Sequence, residues 1–222
     1  MQSRGRHISA MIVVVCSMAA SPARADVDLT WDGTTRAALV GRVLEVDLYA
    51  VSDNDQDQSI AAIDVVLSWD PQRLPLLGVI NGGPYEWLIS GFELNDPGDL
   101  NISLEDGNAL YTALSALGDP AVATPDGLLV TTFQFFPIAE VDASEITIEE
   151  NLSSTLTRVF DGDAPNVTVT GELYGVSVTI IRRPKMARPQ SPLPGTIAPD
   201  EAEHDVRHRP RRIRWYRGTS DP

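Results

Sequence analysis

After residue 40, apolar and polar positions alternate with a period of two, the pattern of strands with one buried face. In 43–50, Leu44, Val46 and Leu48 share a face; in 60–69, Ile63, Val65, Leu67 and Trp69 do. The second run ends at Asp70-Pro71, because proline has no N–H for a sheet ladder. Residues 74–80 predict a third strand, closed by the turn signal Asn81-Gly82-Gly83-Pro84. A short strand is expected over 87–94, and a strong one over 128–136 with Leu129, Thr131, Phe133 and Phe135 on one face. Residues 146–148, 156–160, 167–170 and 176–181 complete the set. The stretch 108–117, NALYTALSAL, is open between strand and helix: its Ala and Leu content favours helix, its neighbours favour strand. Short strands separated by Gly and Pro turns predict an all-β sandwich, antiparallel and jelly-roll-like. A helical 108–117 would make it α+β instead.

The ends of the chain break this pattern. Residues 1–25 carry Arg4 and Arg6, then a mostly apolar stretch from Ile8 to Ala20, then Ala23-Arg24-Ala25. That is the form of a secretory signal peptide cleaved after Ala25. Its apolar stretch is shorter than the roughly 20 residues of a membrane span, so no span is expected in the mature chain. Beyond residue 181, Pro and Arg are frequent and large apolar residues scarce, so 182–222 is expected to be a disordered tail. The expected organisation is a signal peptide over 1–25, a sandwich over 26–181 and the tail, placing the mature protein outside the cell or on its surface.

Charge sharpens this division. Residues 26–181 hold 26 Asp and Glu but four basic residues, Arg36, Arg42, Arg73 and Arg158, a net of −22. Such a surface repels nucleic-acid phosphates, so no nucleic-acid partner is expected. The tail carries ten basic and five acidic residues, with Trp215 and Tyr216 among its arginines. The single cysteine, Cys16, lies in the signal segment. A disulfide, a thiol nucleophile and Cys-ligated zinc are therefore not expected in the mature chain. His204 and His208 lie in the tail and 26–181 has no histidine, which removes a Ser-His-Asp triad or His-ligated zinc from the domain.

Two groups remain as candidate chemistry. Asp53, Asp55 and Asp57 alternate as hard oxygen ligands do in calcium loops, with Ser59 and Asp64 at positions seven and twelve. Gln58 stands where such a loop needs glycine, and the residues that follow are strand-like, so Ca²⁺ here would sit between strands. Tyr85, Trp87 and Tyr111, if exposed, supply rigid apolar area for a sugar ring or a protein partner. Paired carboxylates for a glycan-acting enzyme are abundant in so acidic a chain, and a purely structural surface or matrix role is the third alternative.

The segments VGRVLEVDLYAV, QSIAAIDVVLSWDPQRLPLLGV, DGLLVTTFQF and GVSVTI resemble those of cohesin-like domains and related carbohydrate-binding-module sandwiches. The likeness covers about residues 38–181. It implies a roughly nine-stranded, secreted, non-catalytic sandwich. Cohesins bind dockerin modules through one sheet face, and their relatives bind polysaccharides. The resemblance therefore implies recognition of an extracellular polysaccharide or protein partner.

Overall fold

The structure is a computed structural model, and it describes residues 25–94 and 98–183. The signal peptide expected over 1–25, apart from Ala25, and the tail expected over 182–222, apart from Arg182 and Arg183, lie outside the described residues.

Fifteen strands follow one another: β1 (Val27–Trp31), β2 (Thr35–Leu39), β3 (Leu44–Ser52), β4 (Gln58–Trp69), β5 (Leu76–Ile80), β6 (Ile89–Phe92), β7 (Asn108–Leu114), β8 (Ala121–Ala123), β9 (Leu128–Phe135), β10 (Val141–Glu149), β11 (Asn151–Leu152), β12 (Thr155–Leu156), β13 (Arg158–Asp161), β14 (Thr170–Leu173) and β15 (Val176–Ile181). A 3-10 turn at Leu100–Ile102 is the only helical element among the described residues, and no described helix is long and apolar enough to cross a membrane. One sheet runs β14-β1-β3-β9-β5. The other runs β2-β15-β10-β4-β7-β6, with β8 and β13 also paired to β4; β11 and β12 form a separate small hairpin. The sandwich is antiparallel apart from two parallel pairs, β1 with β14 and β2 with β15.

Alternation builds the core. Leu44, Val46, Leu48 and Ala50 of β3, and Ile63, Val65, Leu67 and Trp69 of β4, point inward, as their spacing predicts. The large rings meet edge to face: Trp31 with Phe133 at 5.7 Å, Tyr111 with Phe133 at 5.5 Å and Trp69 with Phe135 at 5.9 Å.

Strand β9 buries Thr131, Phe133 and Phe135 as expected but departs from the expected face at Leu129. Its register against β3 slips between Leu48 and Tyr49, a bulge that puts both Val130 and Thr131 in the interior. Leu128 therefore turns inward and Leu129 is only half-buried.

Residues 108–117 resolve as strand, over 108–114. Ala109, Tyr111 and Ala113 are fully buried on the core face, and tertiary packing overrides the helical propensity of Ala and Leu. At the other end of β4 the chain returns through Gly107, at φ +89°, where a Cβ would lie 2.5 Å from the Trp69 carbonyl oxygen.

Candidate functional site

Strand β4 is the centre of its sheet, and its outward residues are the centre of the site. Because Ile63, Ala113 and Val159 are buried in the core, their neighbours Ala62, Leu114 and Phe160 face out. Register aligns them across four strands: Ile89 opposite Leu114, Leu114 opposite Ala62, Ala62 opposite Phe160. Ile89 is 47% exposed and Leu114 36%, so this apolar row is open to solvent. Leu88, 62% exposed, flanks it, its N–H donating to the Leu114 carbonyl.

The next row is polar: Gly91, Thr112, Asp64 and Arg158. The Thr112 hydroxyl donates to Asp64 Oδ1 at 2.9 Å. Burial pushes the Asp64 pKa above the ordinary aspartate value and nearby Glu93 adds to the rise; the Thr112 hydrogen bond and the Arg158 charge oppose it. Asp64, Glu93, Thr112, Ser154, Thr155 and Arg158 line a cleft of about 180 Å³. Among the described residues Thr155 Oγ1 and Arg158 Nε are buried without a hydrogen-bond partner, and the Arg158 guanidinium carbon sits 5.7 Å from the Phe160 ring centroid.

A third row is roofed. Val66 and Leu110 pack beneath Leu100 of the 3-10 turn and Leu152 of the β11–β12 hairpin. Asn101 fastens that roof. Its amide nitrogen donates to the carbonyls of Leu110 (2.8 Å) and Glu93 (2.9 Å), and its Oδ1 accepts from the Leu110 N–H at 2.9 Å. It thereby completes the β7 edge just past the last pair with β6, Phe92 with Tyr111.

The aromatic candidates are corrected by their burial. Tyr111 is fully buried, its hydroxyl donating to Asn81 Oδ1, and Trp87 is 9% exposed, its indole N–H donating to the Val130 carbonyl at 3.1 Å. Neither offers a ring face to a ligand, because each anchors core packing and satisfies its polar tip internally. Tyr85 is half-buried. It stacks edge-on against Trp87 at 4.9 Å, donates to the Asp119 carbonyl and accepts from the Ala116 N–H.

The calcium candidates are not gathered. Asp53 Oδ1 accepts from the Asp26 N–H, and the turn is held by Asn54 and Ser52, with Asp55 and Asp57 exposed. Asp64 lies six strand residues past Gln58, about 20 Å along β4, and faces Thr112 instead. Among the described residues no three acidic, His or Cys side chains converge as a metal cage. The ligand role that the loop spacing assigns to Asp64 is not supported by its strand position, and its place beside Thr112 and Arg158 follows only from the strand order.

The geometry defines a cohesin-like fold, and solved structures agree. The chain is similar to a cohesin module from a family 33 glycoside hydrolase of Clostridium perfringens, at 14% identity and TM-score 0.52, over 72% of this chain and 99% of that one. It is similar to the seventh ScaB type I cohesin of Pseudobacteroides cellulosolvens, at 14% identity and TM-score 0.52, over 72% and 96%. The sixth cohesin of Acetivibrio cellulolyticus scaffoldin B, solved in complex with a Cel5 dockerin, matches at 13% identity and TM-score 0.51, over 71% and 99%. No protein-family model matches the chain, and no curated protein matches its sequence.

Proposed function

We propose that residues 26–181 form an exported, non-catalytic module that seats a protein partner on the outer face of β6, β7, β4 and β13. Residues 1–25 would direct export and 182–222 form a tail outside the module. The observation that carries this reading is the pairing of an open apolar row, Ile89–Leu114–Ala62–Phe160, with a polar row holding half-buried charge. Protein interfaces combine these two elements, an apolar patch that excludes water and polar groups that fix register. A protein partner is favoured over a polysaccharide because Tyr111 and Trp87, two of the three aromatic candidates, are spent on the core. The dockerin bound by the Acetivibrio cohesin suggests the class, a small folded module.

The test is to capture proteins from the exported fraction of the source organism, purify each and titrate it against the full chain. Leu114→Asp, on an exposed position, should leave the circular dichroism spectrum unchanged and weaken Kd by about 30-fold or more, as loss of an interface hot spot does. Binding that ignores both Leu114→Asp and Ile89→Asp, or turnover of a glycan by the purified chain, would sink the proposal.

A further inference from the structure

The loop from β5 to β6 opens with Asn81-Gly82, the only Asn-Gly pair in the chain. Asn81 is exposed, yet its side-chain amide is held by three partners. Its Oδ1 accepts from the Thr131 hydroxyl at 2.8 Å and from the Tyr111 hydroxyl at 3.1 Å. Its Nδ2 faces the Ser90 carbonyl at 3.4 Å. Among the described residues the Gly82 N–H has no hydrogen-bond acceptor.

We propose that Asn81-Gly82 is a self-modifying site, at which Tyr111 and Thr131 act as an oxyanion hole for conversion of Asn81 to aspartate and isoaspartate. The Gly82 backbone nitrogen loses its proton and bonds to Asn81 Cγ. Negative charge develops on Oδ1, where two hydroxyls already point, and fixed donors aimed at a developing oxyanion lower such a barrier. The Cγ–Nδ2 bond then breaks, and the nitrogen leaves as ammonia with the proton Gly82 released. Water adds across one or the other C–N bond of the resulting cyclic imide. One opening gives aspartate and the other isoaspartate, whose main chain is one carbon longer. Glycine at 82 puts no side chain in the path of attack. Burial raises the Tyr111 pKa, so its hydroxyl keeps the proton it donates. The isoaspartyl product lengthens the segment that delivers Leu88 and Ile89 to the apolar row, so the reaction would reshape one end of that face as the protein ages.

The full chain, held folded in warm, mildly alkaline buffer, is followed by peptide mapping for the amide-to-acid mass gain at Asn81 and by enzymatic labelling of isoaspartate. The denatured chain runs in parallel. The folded chain should convert Asn81 at least as fast as the denatured chain. Thr131→Val, nearly isosteric, should slow the folded chain by about tenfold or more and leave the denatured rate unchanged. Tyr111→Phe is the second variant, should Thr131→Val fail to fold. Gly82→Ala, whose Cβ would meet Ile80 at an ordinary 3.6 Å, should slow both states. Conversion confined to the denatured chain, or a folded rate untouched by the hydroxyl variants in a folded protein, would overturn the proposal. Neither result bears on the partner-binding reading.

Discussion

Asp64 shows how one residue can cost stability where it serves a surface. Its carboxylate is partly stripped of water on the outer face of β4, and the Thr112 hydroxyl compensates only in part. A carboxyl whose folded pKa exceeds its unfolded value binds its proton more tightly in the fold. Its cost is absent below the unfolded pKa, near 3.8, and grows as pH rises through the window up to the raised folded value. Asp64→Asn keeps an acceptor for Thr112 and removes the charge. The variant should melt above the parent at neutral pH, and the gap should close as pH falls below 3.8. Melting curves across that range check the sign; a gap that widens in acid would show that Arg158 dominates the site. Asn101 works the other way. It is 3% exposed and satisfies both polar groups of the Leu110 backbone. Asn101→Ala strands them under the roof, and urea unfolding should show a loss of about 2–4 kcal/mol.

Single elements decide how much of the face is open. The β11–β12 hairpin has two-residue strands, and Leu152 is its contribution to the cluster over Val66 and Leu110. Replacing residues 151–156 by a short Gly-Ser turn uncovers part of that third row. The cost should be about 1–3 kcal/mol in urea unfolding, the worth of one or two apolar side chains, with increased binding of a hydrophobic dye. An unchanged stability would show that Leu100 alone roofs the row.

Elements of this kind differ in how plainly the sequence displays them. β3, β4 and β15 are legible because a two-residue period against a buried face leaves no other solution. β1 is equally regular, Val27, Leu29 and Trp31 inward, but it is short and stands apart from the sustained alternation after residue 40. The inner half of β10 was seen at 146–148, whereas Asp142, Ser144 and Glu145 hid its beginning. The β9 bulge leaves no mark in composition, so the face of Leu129 could not be foreseen. The apolar and polar rows of this face join residues distant in sequence, such as Ile89 and Phe160, 71 positions apart, which share a row only once β6, β7, β4 and β13 are ordered. In the sequence Asp64 belongs to an acidic string, and only register connects it to Arg158.

At the scale of the whole domain, charge is the unbalanced quantity. Residues 26–181 carry a net of −22, and the ion pairs among the described residues, Arg36 with Asp32, Arg73 with Asp70 and Arg182 with Glu140, are all on the surface. Surface pairs contribute little, so the remaining carboxylates repel one another in the compact state. Screening should relieve this: the Debye length shrinks from about 30 Å at 0.01 M salt to about 3 Å at 1 M. The melting temperature should therefore climb with sodium chloride over that interval, and a flat or falling curve would show that repulsion is not limiting.

The two parallel pairs have a consequence in time rather than in space. β1 lies against β14 and β2 against β15, so the first strands to be synthesised find these partners only in the last ones. Pairings of such sequence separation must meet the entropy of closing nearly the whole domain before they are rewarded, which makes folding slow. A growing chain that has reached β13 already contains most of its core residues, yet β2 has no strand to hydrogen-bond and β1 lacks one of its two neighbours. Residues 170–181 are therefore the clasp of the domain: without them β2 has no hydrogen-bonded neighbour and β1 has only β3.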